Sequence, residues 1–137
     1  MQHATFDKNT LFFHAIAANA IFSTVCGLVM ILAPERIAIW LGLERTADIL
    51  ATGIFLLGFA AFLLVARLRG KLNFKLAWAV VVGDLSWVIF SLVLVTGFAS
   101  SFSTLGIWLI VDVAITVGVF AALQARGLLN DRVMEAG

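Results

Sequence analysis

Four long apolar runs, Leu11 to Ala33, Ile49 to Ala66, Leu76 to Gly97 and Thr104 to Gln124, decide most of what this chain can become. A helix rises about 1.5 Å per residue, so roughly 20 residues cross the ~30 Å hydrocarbon core of a bilayer. Inside that core no water satisfies backbone N–H and C=O groups, so runs of this length must be helices. A period-two alternation, the mark of a membrane β-barrel, is absent. The expected fold is therefore an all-α membrane protein. It forms one integral domain over residues 1–137, a four-helix antiparallel bundle with spans at about 11–33, 47–66, 76–97 and 104–124. Thr46 and Ala47 are available to lengthen the second and shortest run.

Composition agrees, with 63% hydrophobic and 12% charged residues, where soluble domains stand nearer about half and a quarter. A net charge of +1 offers no clustered basic face for nucleic acid. The lone cysteine, Cys26, excludes an internal disulfide and a cysteine-rich metal site. "AIAANA", ending at Ala20, has a faint look of a signal-peptidase site. The apolar run continues to Ala33, too long for a cleaved segment, so it is read as a retained span.

Orientation follows from lysine and arginine near the span ends. The link "RLRGKLNFK" carries Arg67, Arg69, Lys71 and Lys75, and Lys8, Arg126 and Arg132 fall on the same side. Arg36 and Arg45 alone oppose them. Positive residues favour the cytoplasm, which places both termini inside a bacterial cytoplasmic membrane. On the other side, "PERIAIWLGLERTAD" opens with Pro34 and Glu35, residues suited to a first helical turn. Ile37, Trp40 and Leu41 then share a face, predicting a short interfacial helix with Trp40 as anchor. Trp78 is the matching anchor near Lys75. Small residues mark close helix approaches in lipid: Gly106, Ala114, Gly118 and Ala122 in the fourth run, Ser23 and Gly27 in the first, Gly53 and Gly58 in the second. Packing within the chain is favoured over packing on a second copy.

Against this apolar background stand Asp84, in "VVGDLSWVIF", and Asp112, in "LIVDVAITVG". An aspartate at a span centre costs about 2.5–3.5 kcal/mol on the insertion scale, which the surrounding Leu, Ile, Phe and Val offset. Both lie within about 5 Å of the midplane, and Asn19 sits near the height of Asp84. Asn19, Ser23 and Cys26 share one helix side, as do Asp84, Trp87 and Ser91, and Trp108, Asp112 and Thr116. The expectation is that Asn19, Asp84, Trp87, Ser91, Trp108, Asp112 and Thr116 converge on one amphipathic cavity that binds a ligand. In its neutral form each carboxyl can donate a hydrogen bond or a proton. In an alternative reading as an enzyme, Asp84 and Asp112 together would be the catalytic pair of a small isomerase, cyclase or hydrolase acting on a lipid-like substrate. Trp87 and Trp108 suit stacking on a quinone or another flat apolar molecule. The plainer alternative is structural: Asp84 as interhelical glue with Asn19 or a serine, worth about 1 kcal/mol. An oligomeric transporter or channel is a third, weakened by the lack of a further carboxylate or histidine near the midplane.

Other chemistries find no footing. His14 and His3 are not spaced as haem ligands, and no run contains a lysine for a Schiff base. No metal-ligand motif, phosphate-cradling glycine loop or nucleophile elbow is present. The stretch "ILAPERIAIWLGLERTADILATGIFLLGFAAFLLVA", residues 31 to 66, resembles small four-helix bacterial membrane proteins of the DoxX-like kind. These share a first helix, a proline-led "LGL" link and a glycine-rich second helix. The resemblance implies an inner-membrane protein associated with quinone-linked oxidoreductases and assigns no residue a role. The reading that results is an accessory or lipophilic-ligand-binding subunit in contact with lipid, joined to a larger membrane complex or to copies of itself.

Overall fold

The computed structural model describes residues 10–70 and 72–136. Five α-helices follow one another: α1 (Leu11–Leu32), α2 (Pro34–Leu41), α3 (Thr46–Arg69), α4 (Phe74–Gly97) and α5 (Thr104–Ala136), with a 3-10 turn at Ala99–Ser101 before α5. Among the described residues there is no strand. Four of the helices are long and apolar enough to cross a membrane. The all-α bundle is the fold expected, and α2 is the short amphipathic helix expected after the first span. Lys8, Lys71 and His3 lie outside the described residues, as does the side chain of Arg132.

Helix ends follow local chemistry. Pro34 starts α2, where its missing N–H costs nothing. α2 and α3 close on Gly42 and Gly70, both with positive φ. Asn73 caps α4 by accepting the Leu76 N–H at 2.7 Å. Two spans outrun the expected ends: α3 reaches Arg69 rather than residue 66, and α5 reaches Ala136 rather than residue 124. A charged residue ends an apolar run but not a helix. Arg67, Leu68 and Arg69, like Ala125 and Arg126, are good helix formers.

Packing sets a definite order around the bundle. α1 lies along α3 on one side and α5 on the other, and α5 also lies along α4. α3 and α4 share no comparable face. All four long helices meet in one core at the end bearing the α3–α4 link. There Phe12, Phe13 and Ile16 from α1 pack with Leu63 and Ala66, with Ala77, Val80 and Val81, and with Leu128. Early residues of α1 thus meet late residues of α3 and α5, so these neighbours are antiparallel. At the other end, Ser103 ties α2 to α5. Its N–H donates to the Leu41 carbonyl at 2.9 Å, its hydroxyl donates to the Trp40 carbonyl, and its Oγ accepts the Gly106 N–H at 2.9 Å.

Close helix approach occurs at some of the expected glycines. A Cβ on Gly27 would stand 2.9 Å from the Gly53 carbonyl oxygen, so α1 and α3 touch backbone to backbone there. Gly106 similarly abuts Leu41 of α2, whereas Gly58 faces open space. The stripe Gly106, Ala114, Gly118 and Ala122 is corrected in part. The buried side of α5 runs through Gly106, Ala114, Val117, Ala121, Gln124 and Leu128, and Ala122 is exposed. Each step of four residues turns a helix about 40° past a full turn, so a row of fours drifts off the packed face. Alternating steps of three and four remain on it.

Candidate functional site

Past the core, the side of the bundle between α3 and α4 is occupied by a cavity of about 400 Å³ rather than by helix contacts. α1 supplies its back wall through Asn19, Phe22, Ser23, Cys26 and Met30. α3 adds Phe55, Leu56 and Phe59; α4 adds Asp84, Ser86, Trp87 and Phe90; α5 contributes Val113 and Val117. The lining is overwhelmingly apolar and aromatic, with a few polar groups gathered at one place. Ligand sites commonly have this make-up.

Those polar groups form an ordered chain. The Ser23 hydroxyl donates to Asn19 Oδ1 at 3.1 Å, and Asn19 Nδ2 donates to Asp84 Oδ2 at 2.7 Å. Asn19 is 1% and Asp84 3% exposed. Ser23 lies one turn beyond Asn19 on α1, so it reaches the amide oxygen and fixes which amide edge faces α4. The helix sides read from spacing, Asn19 with Ser23 and Cys26 and Asp84 with Trp87, are therefore brought together as expected. Trp87 stands along the wall with its ring tilted against Phe90, centroids 6.3 Å apart.

Four expected members stand elsewhere. Ser91 is buried, but its hydroxyl donates to the Trp87 carbonyl of its own helix at 2.9 Å. It lines a separate, smaller space of about 230 Å³ between α4 and α5. Thr116 donates likewise to the Asp112 carbonyl. A hydroxyl in a membrane helix readily satisfies itself on the preceding turn and need not point into a site. Asp112 is exposed, and Trp108 is 68% exposed. The convergence of Asp112 with Asp84 is thus a correction. Asp112 precedes the buried Ala114 by two residues, about 200° of rotation. α5 turns its Ala114 side to both α1 and α4, so the opposite side has no helix to face.

Gln124 was not anticipated. It is fully buried on the packed side of α5, close enough to act on the Asp84 carboxyl. Neither atom of its amide, however, attains hydrogen-bond geometry with any described group. Reading α5 in alternating steps of three and four from Ala114 would have found it. Among the described residues no three histidine, cysteine, aspartate or glutamate side chains stand together as a metal site would require. The arrangement can hold an apolar molecule and present to it one carboxyl, oriented from behind by an amide and a hydroxyl.

The chain matches no protein-family model, no curated protein and no solved structure.

Proposed function

We propose that this membrane-embedded protein holds a lipophilic small molecule in the cleft between α3 and α4, with Asp84 as its polar contact. The observation that carries this reading is the aromatic-lined cavity of about 400 Å³ with the Asn19–Asp84 pair in its wall. Space of that size falls within the range of small-molecule sites, roughly 300–1,000 Å³. The cleft lies on the side of the bundle that helix packing leaves open, so a molecule dissolved in the bilayer reaches it sideways. One carboxyl beside an apolar, aromatic-lined cleft suits an accessory or ligand-binding subunit better than an enzyme built on two aspartates. Asp112 faces away from the cleft, which leaves the paired-carboxylate alternative with one carboxyl.

The bacterial cytoplasmic membrane is the proposed location, with both termini inside. Arg67, Arg69 and Lys75 gather at the α3–α4 link, and such clusters stay on the cytoplasmic side. The resemblance of residues 31 to 66 to DoxX-like proteins supports a quinone-linked setting and a larger membrane complex as partner.

Native mass spectrometry of protein extracted gently from its own membranes tests the reading. A monomer or dimer retaining a discrete apolar molecule is the result expected. A complex with another polypeptide and an empty cleft would leave Asn19 and Asp84 as structural glue and end the ligand-binding proposal.

A further inference from the structure

We infer that the molecule this cleft accepts is a monovalent lipophilic cation, such as an organic ammonium, held by the Asp84 carboxylate. The inference rests on the ligand-binding reading above and narrows it to one charge class. Among the described residues, no lysine, arginine or histidine lines the cavity, and Cys26 is the only other titratable group that does. α3 and α5 bring none to its wall. Asp84 is thus a carboxyl without a basic partner.

The direction of the hydrogen bonds adds to this. Ser23 donates to Asn19, and Asn19 donates to Asp84, so the chain of dipoles ends with its donor edge on the carboxyl. Both donors are neutral, so they would leave the charge of an ionised carboxyl uncompensated in surroundings where an isolated charge is costly. What the site lacks is one positive charge.

The walls point the same way. Phe22, Phe59, Trp87 and Phe90 line the same cavity as the carboxyl. Aromatic faces attract organic cations, by about 0.5–2 kcal/mol for each well-placed ring. A cation with apolar substituents would gain the ion pair, the rings and the lipid-side access together.

The test uses the full chain in nanodiscs of zwitterionic lipid, with three probes of similar shape: tetraphenylphosphonium, tetraphenylborate and neutral tetraphenylmethane. Saturable binding is measured by equilibrium dialysis for the wild type, Asp84→Asn and Asp84→Glu, with thermal unfolding as the check on fold. The expected result is saturable tetraphenylphosphonium binding at least ~10-fold tighter than that of either other probe, a factor worth about 1.4 kcal/mol. Asp84→Asn should weaken it at least ~10-fold, and Asp84→Glu should retain most of it. Equal binding of cation and neutral probe overturns the cation and leaves the cleft as a general apolar site. Saturable binding of none of the three overturns both. If Asp84→Asn fails to fold, the wild-type preference among the probes still decides.

Discussion

Asn19 on α1 and Asp84 on α4 lie 65 positions apart in sequence, yet the amide donates to the carboxyl at 2.7 Å inside the bundle. α1 and α4 share no extensive packed face beyond their common core, so this bond is a direct polar link between them. It fixes the carboxyl against the back wall of the cleft and leaves the rest of that wall apolar. A buried polar pair in a membrane protein is worth modest free energy, because the helices find other partners when apart. Its larger effect is to give Asp84 a definite orientation.

The strength of that pair is measurable by a double-mutant cycle of Asn19→Ala and Asp84→Ala in detergent unfolding. The expected coupling is about 0.5–1.5 kcal/mol. Additive single effects would mean that the two side chains stabilise the bundle independently.

Gly27 and Gly58 should respond oppositely to the same change. Gly27→Ala drives a methyl group to 2.9 Å from the Gly53 carbonyl oxygen, forcing α1 and α3 apart and costing about 1–3 kcal/mol. Gly58→Ala meets open space and should be neutral or stabilise α3 by up to about 1 kcal/mol. Thermal unfolding of both variants in one detergent compares them. Equal losses would place the α1–α3 contact elsewhere.

Gln124 is a buried amide whose atoms form no hydrogen bond with any described group. Gln124→Met keeps its length and removes the unmet polar groups, so the variant should be more stable by about 1–2 kcal/mol. A loss of stability instead would show that the amide is engaged by a polar partner rather than left unmet.

Asp112 faces outward on α5, away from the cleft. Asp112→Leu should therefore ease membrane insertion by about 3 kcal/mol on the translocon scale and leave ligand retention unchanged. Insertion assays and the mass-spectrometric readout check the two halves separately. Loss of the bound molecule in this variant would restore Asp112 to the site.

Much of the fold is legible in the chain alone. Four apolar runs of bilayer length admit only helices, because backbone groups in hydrocarbon have no other partners. Pro34, the amphipathic spacing of Ile37 and Trp40, and the short links determine α2 and the antiparallel order. The height match of Asn19 and Asp84 also follows from counting residues along two spans. What spacing does not contain is which side of each helix looks inward. α5 has an apolar surface all round, so hydropathy cannot distinguish its Ala114 side from its Asp112 side. That choice came from packing: Gly106 against Leu41, Ala114 and Val117 inside, Gln124 and Leu128 carried in with them. The same packing brought α1 against α3 and α5 but left α3 and α4 apart beyond the core. The cleft exists because of that asymmetry, and asymmetry of packing is a property of helix surfaces meeting in space rather than of any one run of residues.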